Sequence, residues 1–125
     1  RKLLGGQMRQ AGVVAAAGIE AIQNMVGRLE EDHQKARVMA RVLAETGGLK
    51  APENFHSNMI KLDLAGLNYS AKEFQAEMAQ RGVKVHVHAP TEIRLVTHKD
   101  VSEAECLQAA QIISQFWKER RRDVA

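Results

Sequence analysis

The side chain best suited to recognising an anion is Arg94. It lies in Thr91-Glu92-Ile93-Arg94-Leu95-Val96-Thr97-His98, where Ile93 and Leu95 fall on one face of an alternating segment and Arg94 and Val96 on the other. An arginine turned away from the core at a sheet edge presents a planar fork, which meets a carboxylate through two parallel hydrogen bonds. Pattern alone leaves the alternative open, a surface arginine on a strand. Lys2 and Arg9 form a second set, because they flank Gly5-Gly6 ahead of a helical segment and cations near a helix start can face phosphate. Their spacing matches no Walker pattern, and on spacing alone they read as solvated cations. His86 and His88 share a strand face and His98 follows the next strand. Two histidines at i, i+2 can share a metal, but no third ligand or supporting carboxylate is assignable, so no metal site is expected. His33 and His56 carry less signal. Cys106 has no base nearby in sequence and no Gly-x-Ser-x-Gly elbow exists, so nucleophilic chemistry has no candidate.

The elements that must position these groups follow from periodicity. Helical sequence runs from about Met8 to Asn24, dominated by Ala11, Gly12, Ala15, Ala16, Ala17 and Gly18. A helix coated in small side chains can approach a neighbour closely, which suggests burial against another domain or subunit. A second helix is expected from about Val26 or Arg28 to Thr46, with Leu29, Ala36, Val38 or Met39, Ala40 and Leu43 inward and Gly47-Gly48 as its stop. Asn58 to Leu64 alternates as a half-buried strand. Ser70-Ala71-Lys72-Glu73 is a capping box that opens a helix to about Gln80, with Phe74, Met78 and Ala79 inward. Val83 to His88 alternates strictly and predicts a strand. The short link Ala89-Pro90-Thr91 predicts a hairpin to the strand from Glu92 to Thr97. Ser102-Glu103-Ala104-Glu105 is a second capping box, which opens a last helix through Trp117 to about Arg121 with Leu107, Ala110, Ile113 and Trp117 inward. The expected fold class is α/β of the α+β kind. It is a two-layer sandwich of helices on one face of a small, mainly antiparallel sheet.

Composition bounds the partners. The 125 residues fit one domain. No apolar run reaches the roughly 18 residues of a membrane helix, so no membrane association is expected. The chain starts Arg1-Lys2-Leu3-Leu4 with neither Met nor a signal peptide, and reads as a piece of a longer protein. The single cysteine permits no internal disulfide, which fits a reducing, cytoplasmic setting. The net charge of +3 is small and partly carried by Arg120-Arg121-Arg122, which suits a helix C-terminus. A nucleic-acid surface would need more charge on one face with interleaved aromatics, so none is expected.

Three segments resemble the low-specificity L-threonine aldolases. Arg1-Lys2-Leu3-Leu4-Gly5-Gly6-Gln7-Met8-Arg9-Gln10-Ala11-Gly12 is similar to the family's RKMLGGGMRQAG, Arg28-Leu29-Glu30-Glu31-Asp32-His33 to its RLxEDH helix, and Arg94 to Ser102 to its RLVTHxDVS motif. They occur in family order with near-family spacing. One departure is Gln7, which replaces a glycine; a positive φ there would strain glutamine.

The resemblance implies a fold of the aspartate-aminotransferase superfamily (pyridoxal-phosphate, PLP, fold type I). A large domain carries PLP and a small C-terminal domain closes over the substrate. It implies an aldolase that splits threonine and related β-hydroxy-α-amino acids to glycine and an aldehyde, with PLP as electron sink. On this resemblance Arg94 binds the substrate carboxylate. Lys2 and Arg9 lie near the PLP phosphate or the neighbouring subunit's site in a homotetramer. The Schiff-base lysine lies upstream in the family and is absent, so this segment alone should be inactive and hold no PLP covalently. Residues 1–26 are then a linker and interface helix leading from the missing large domain, and 27–125 the small domain. Two alternatives stay open: the small domain of another fold type I lyase or transferase, and a non-catalytic oligomerisation or binding module.

Overall fold

A computed structural model describes residues 3, 6, 8–47, 57–67 and 69–124, with the side chains of 123 and 124 excepted. The chain opens with α1 (Gly12–Glu20), which continues without a break in helical direction through a wide π-type turn (Ala21–Met25) and a 3-10 turn (Val26–Arg28) into α2 (Leu29–Ala44). Then come β1 (Met59–Asp63), α3 (Ala71–Gln80), β2 (His86–Ala89), β3 (Glu92–Val96) and α4 (Glu103–Val124). The sheet order is β1-β3-β2, with both edge strands antiparallel to the central β3. Helices α2, α3 and α4 cover one face of this sheet, which is the expected α+β two-layer architecture.

Alternation decides what each strand buries. Ile60, Leu62 and Leu64 point inward with Ile93 and Leu95, and meet Ala36, Ala40 and Leu43 of α2, Phe74 and Met78 of α3, and Ala110, Ile113, Phe116 and Trp117 of α4. The aromatic centre is ordered edge to face. Phe116 sits 5.5 Å from Phe74 and 5.8 Å from Tyr69, with ring planes 81° and 84° apart, an arrangement that matches ring edges to ring faces. Between α2 and α4 the Thr46 hydroxyl donates to Ser114 Oγ at 2.6 Å, so this buried polar pair satisfies itself.

The expected burial is corrected at several points. Leu29 is exposed because the buried face of α2 begins only at Ala36, and on α4 the fully inward positions include Cys106 where Leu107 was expected. On α3, Ala71 is buried and Ala79 exposed. The strand expected from Val83 starts only at His86. Helix α3 ends in a Schellman motif, with Gly82 at φ 78°, Val83 N–H donating to Met78 O (2.9 Å) and Gly82 N–H to Ala79 O (3.1 Å). The Gln75 side-chain amide then donates to Val85 O at 2.8 Å. Val83 and Val85 still point inward, but their backbone serves the helix exit rather than the ladder. The first helix starts at Gly12, later than expected, after Gln10 at φ 53°. Gly48, part of the expected stop of α2, and Gln7 lie outside the described residues.

Both capping boxes form. Ser70 N–H donates to Glu73 Oε2 (2.9 Å) and Glu73 N–H to Ser70 Oγ (3.2 Å); Ser102 and Glu105 repeat this at 2.7 and 3.2 Å. The Ser70 hydroxyl, then its N–H, holds Glu73 below the usual carboxylate range, and the Ser102 N–H, then its hydroxyl, does the same for Glu105. A depressed carboxyl pKa adds stability above its ordinary value and loses it as pH falls through the lowered one. Ser70→Ala and Ser102→Ala each remove an N-cap side chain, which is expected to cost about 1 kcal/mol at neutral pH. The penalty should shrink on acidification below about pH 4, which urea unfolding at the two pH values measures.

Candidate functional site

The uncovered face of the sheet carries the chemistry. Because β3 is central, Arg94 stands between its cross-strand neighbours Lys61 on β1 and His86 on β2. Its alternation partners Ile93 and Leu95 are buried, so the guanidinium projects from the side opposite the helices, as the sequence predicts. Met59 and Val96, both large and apolar, are exposed on this same face.

Arg94 itself is half-buried, and its Nε is shielded from solvent with no hydrogen-bond partner. Among the described residues it makes no ion pair. A guanidinium that is partly desolvated and unpaired is costly unless an anion satisfies it. Two residues away on the same face, Glu92 Oε1 is also shielded and accepts no hydrogen bond; it lies 3.4 Å from both Lys61 Nζ and His88 Nε2. Lys61 Nζ approaches His88 Nε2 at 2.9 Å. His88 reaches this cluster because the β2–β3 register shifts between Val87 and Ala89, and a bulge of that kind re-aims a side chain.

The C-terminal end of β3 is clamped to α2. Thr97 Oγ1 donates to Asp32 O at 2.7 Å, Thr97 N–H to Asn58 O at 2.9 Å, and the Asn58 amide to Thr97 O at 2.6 Å. Lys35 Nζ bridges the Asp32 carboxylate (3.1 Å) and His98 O (3.3 Å). Two segments singled out in the sequence, Arg28 to His33 and Arg94 to Ser102, thus meet in space, and their contact holds the strand that carries Arg94. His98 accepts the Asp100 N–H at Nδ1 (3.2 Å), a local structural bond. Among the described residues no group of three metal-ligating side chains forms. Cys106 is buried, which pushes its thiol pKa up and away from reactivity.

Of the second candidate set, Lys2 lies outside the described residues. Arg9 is exposed and lines a concavity with Gly6, Met8, Gln10 and Ala11, to which no residue of the sheet face contributes. An exposed cation beside backbone at a helix start fits the outer surroundings of a phosphate. Arg9 and its neighbours in this concavity do not enclose one. Sequence reasoning missed Lys61 and Glu92. The signal was their place on the outward face of alternating strands, but strand order was needed to join them to Arg94.

The architecture is that of the α+β small domain of PLP fold type I enzymes. The chain belongs to the beta-eliminating lyase family, whose model matches residues 1–65. It is 40% identical over 110 residues to the low specificity L-threonine aldolase of Escherichia coli K12, covering 88% of this chain and 31% of that protein. It is 30% identical over 123 residues to low-specificity L-threonine aldolase 1 of Arabidopsis thaliana, covering 92% and 34%. It is also 36% identical over 107 residues to a probable second threonine aldolase of the same plant, covering 84% and 30%. The chain therefore spans about a third of the length of the curated relatives it matches. Among the described residues no helix is long and apolar enough to cross a membrane.

Proposed function

We propose that this chain is the C-terminal part of a PLP-dependent aldolase that cleaves threonine or related β-hydroxy-α-amino acids to glycine and an aldehyde. The observation that carries the reading is the unpaired, partly desolvated Arg94 guanidinium at the centre of an uncovered sheet face. PLP, when bound by the full-length enzyme, supplies the electron sink for carbon–carbon cleavage. Arg94 does the positioning: a bidentate grip on the substrate carboxylate fixes the rotation about the substrate's Cα–N axis and so which Cα bond faces the reacting centre. The apolar pair Met59 and Val96, next to Arg94 on this face, helps exclude water once the face is covered.

Residues 1–26 serve in this reading as the connection to a large cofactor domain. Support comes from α1, in which no residue is buried although Val13, Val14 and Ile19 are apolar; a helix of that composition is stable only against a partner surface. Arg9 and Lys2 then stand near the cofactor phosphate or a neighbouring subunit's site in a homo-oligomer, a tetramer by family resemblance. The lone, buried cysteine suits the cytoplasm. The full-length protein is expected to release aldehyde from threonine with PLP present. This chain alone, mixed with PLP, should give no absorbance change of a covalently held cofactor. An inert full-length protein would defeat the reading.

A further inference from the structure

Arg94 has an internal competitor. Glu92 lies two residues away on the same outward face of β3, and its Oε1 is as shielded and as poorly satisfied as Arg94 Nε. An adjacent carboxylate is the natural partner of an unpaired guanidinium, yet the two form no ion pair. Lys61 crosses over the face of β3 to lie 3.4 Å from Glu92 Oε1, and His88, set there by the bulge in β2, lies at 3.4 Å from the same oxygen. Lys61 Nζ also stands 2.9 Å from His88 Nε2. With Lys61 donating, the ring accepts at Nε2 and carries its proton on Nδ1. Glu92 is thereby paired with the Lys61 ammonium, which His88 in turn fixes in place.

We infer that Lys61, itself positioned by His88, is a positioning residue that sequesters Glu92 and so leaves Arg94 free for the substrate carboxylate. The inference rests on the proposed carboxylate-binding role of Arg94. Removing the Lys61 amine releases Glu92 to pair with Arg94, and substrate must then displace an intramolecular carboxylate whose effective concentration is high. The effect should fall on ground-state binding of every carboxylate ligand, with turnover at saturation little changed.

The test uses the full-length aldolase. Lys61→Met keeps the aliphatic stem and removes the charge. It is expected to raise the KM for threonine, and the dissociation constant of glycine measured by calorimetry, by roughly two- to fivefold, the scale of a partly exposed ion pair, with kcat nearly constant. Glu92→Gln in the same chain should restore both values, because the competitor is gone. Unchanged binding in Lys61→Met, or a defect that persists in the double variant, would overturn the inference; the second result would mean that Lys61 meets the substrate itself. Arg94→Ala, run in parallel, separates the two levels. If it leaves glycine binding intact, the anchor reading fails and this inference falls with it. If it abolishes binding while Lys61→Met does nothing, only the sequestration is wrong.

Discussion

Arg94→Ala in the full-length enzyme lowers kcat/KM for threonine by about 2–5 kcal/mol, or roughly 30- to 5000-fold, the range for truncating one member of a desolvated charge pair. The cofactor's absorbance is expected to persist, because the residues of this chain proposed to lie near the phosphate, Lys2 and Arg9, are untouched. The magnitude rests on burial. A fully solvated arginine would be worth little, but Arg94 is half-buried between Lys61 and His86, and its Nε has lost water without gaining a partner. Arg94→Lys is expected to recover only part of the loss, since an ammonium cannot reproduce the two parallel bonds of the fork. Steady-state kinetics with a coupled aldehyde assay, read beside the absorbance spectrum, checks all three statements.

Phe116→Ala is the largest expected loss of stability, about 3–5 kcal/mol. Phe116 is 1% exposed and is the hub of the aromatic centre. It meets Tyr69 and Phe74 edge to face, and the guanidinium groups of Arg81 and Arg120 stack on its ring at 5.2 and 5.5 Å. Truncation removes the ring, leaves a cavity and strands two cation–π contacts. A domain typically has only about 5–15 kcal/mol to lose, so the variant is expected to be marginal. Trp117, the single tryptophan, lies beside it and reports the transition by fluorescence in urea. Phe116→Leu, which keeps most of the volume, should cost much less. Equal midpoints for Phe116→Ala and the parent would show that the ring is not central to packing.

What was legible in the sequence was local. Ser70 with Glu73, and Ser102 with Glu105, announce their helices because a capping box closes within one turn. The faces of β1 and β3 follow from strict alternation, and with them the outward direction of Arg94. The hairpin follows from the short Ala89-Pro90-Thr91 link. Illegible features depend on distant partners. Val83 to Val85 has the pattern of a strand, but the Schellman turn at Gly82 and the Gln75 amide claim its backbone first. The Thr46–Ser114 bond joins residues 68 positions apart. Lys61, His88 and Glu92 converge only because β3 lies between β1 and β2 and because β2 is bulged, and neither fact is written in any one segment. The three family-like segments were visible as strings; that two of them clamp together through Thr97 and Asp32 was not.

The role of Arg94 is tested most directly by asking whether it reads a charge. Threonine and threonine amide differ at the carboxyl group alone. The full-length enzyme is expected to prefer the acid strongly, and that preference should collapse in Arg94→Ala, with the amide turned over about equally by both proteins. If the Arg94→Ala enzyme still discriminates against the amide as sharply as the parent, another group holds the carboxylate, and Arg94 is a surface arginine after all.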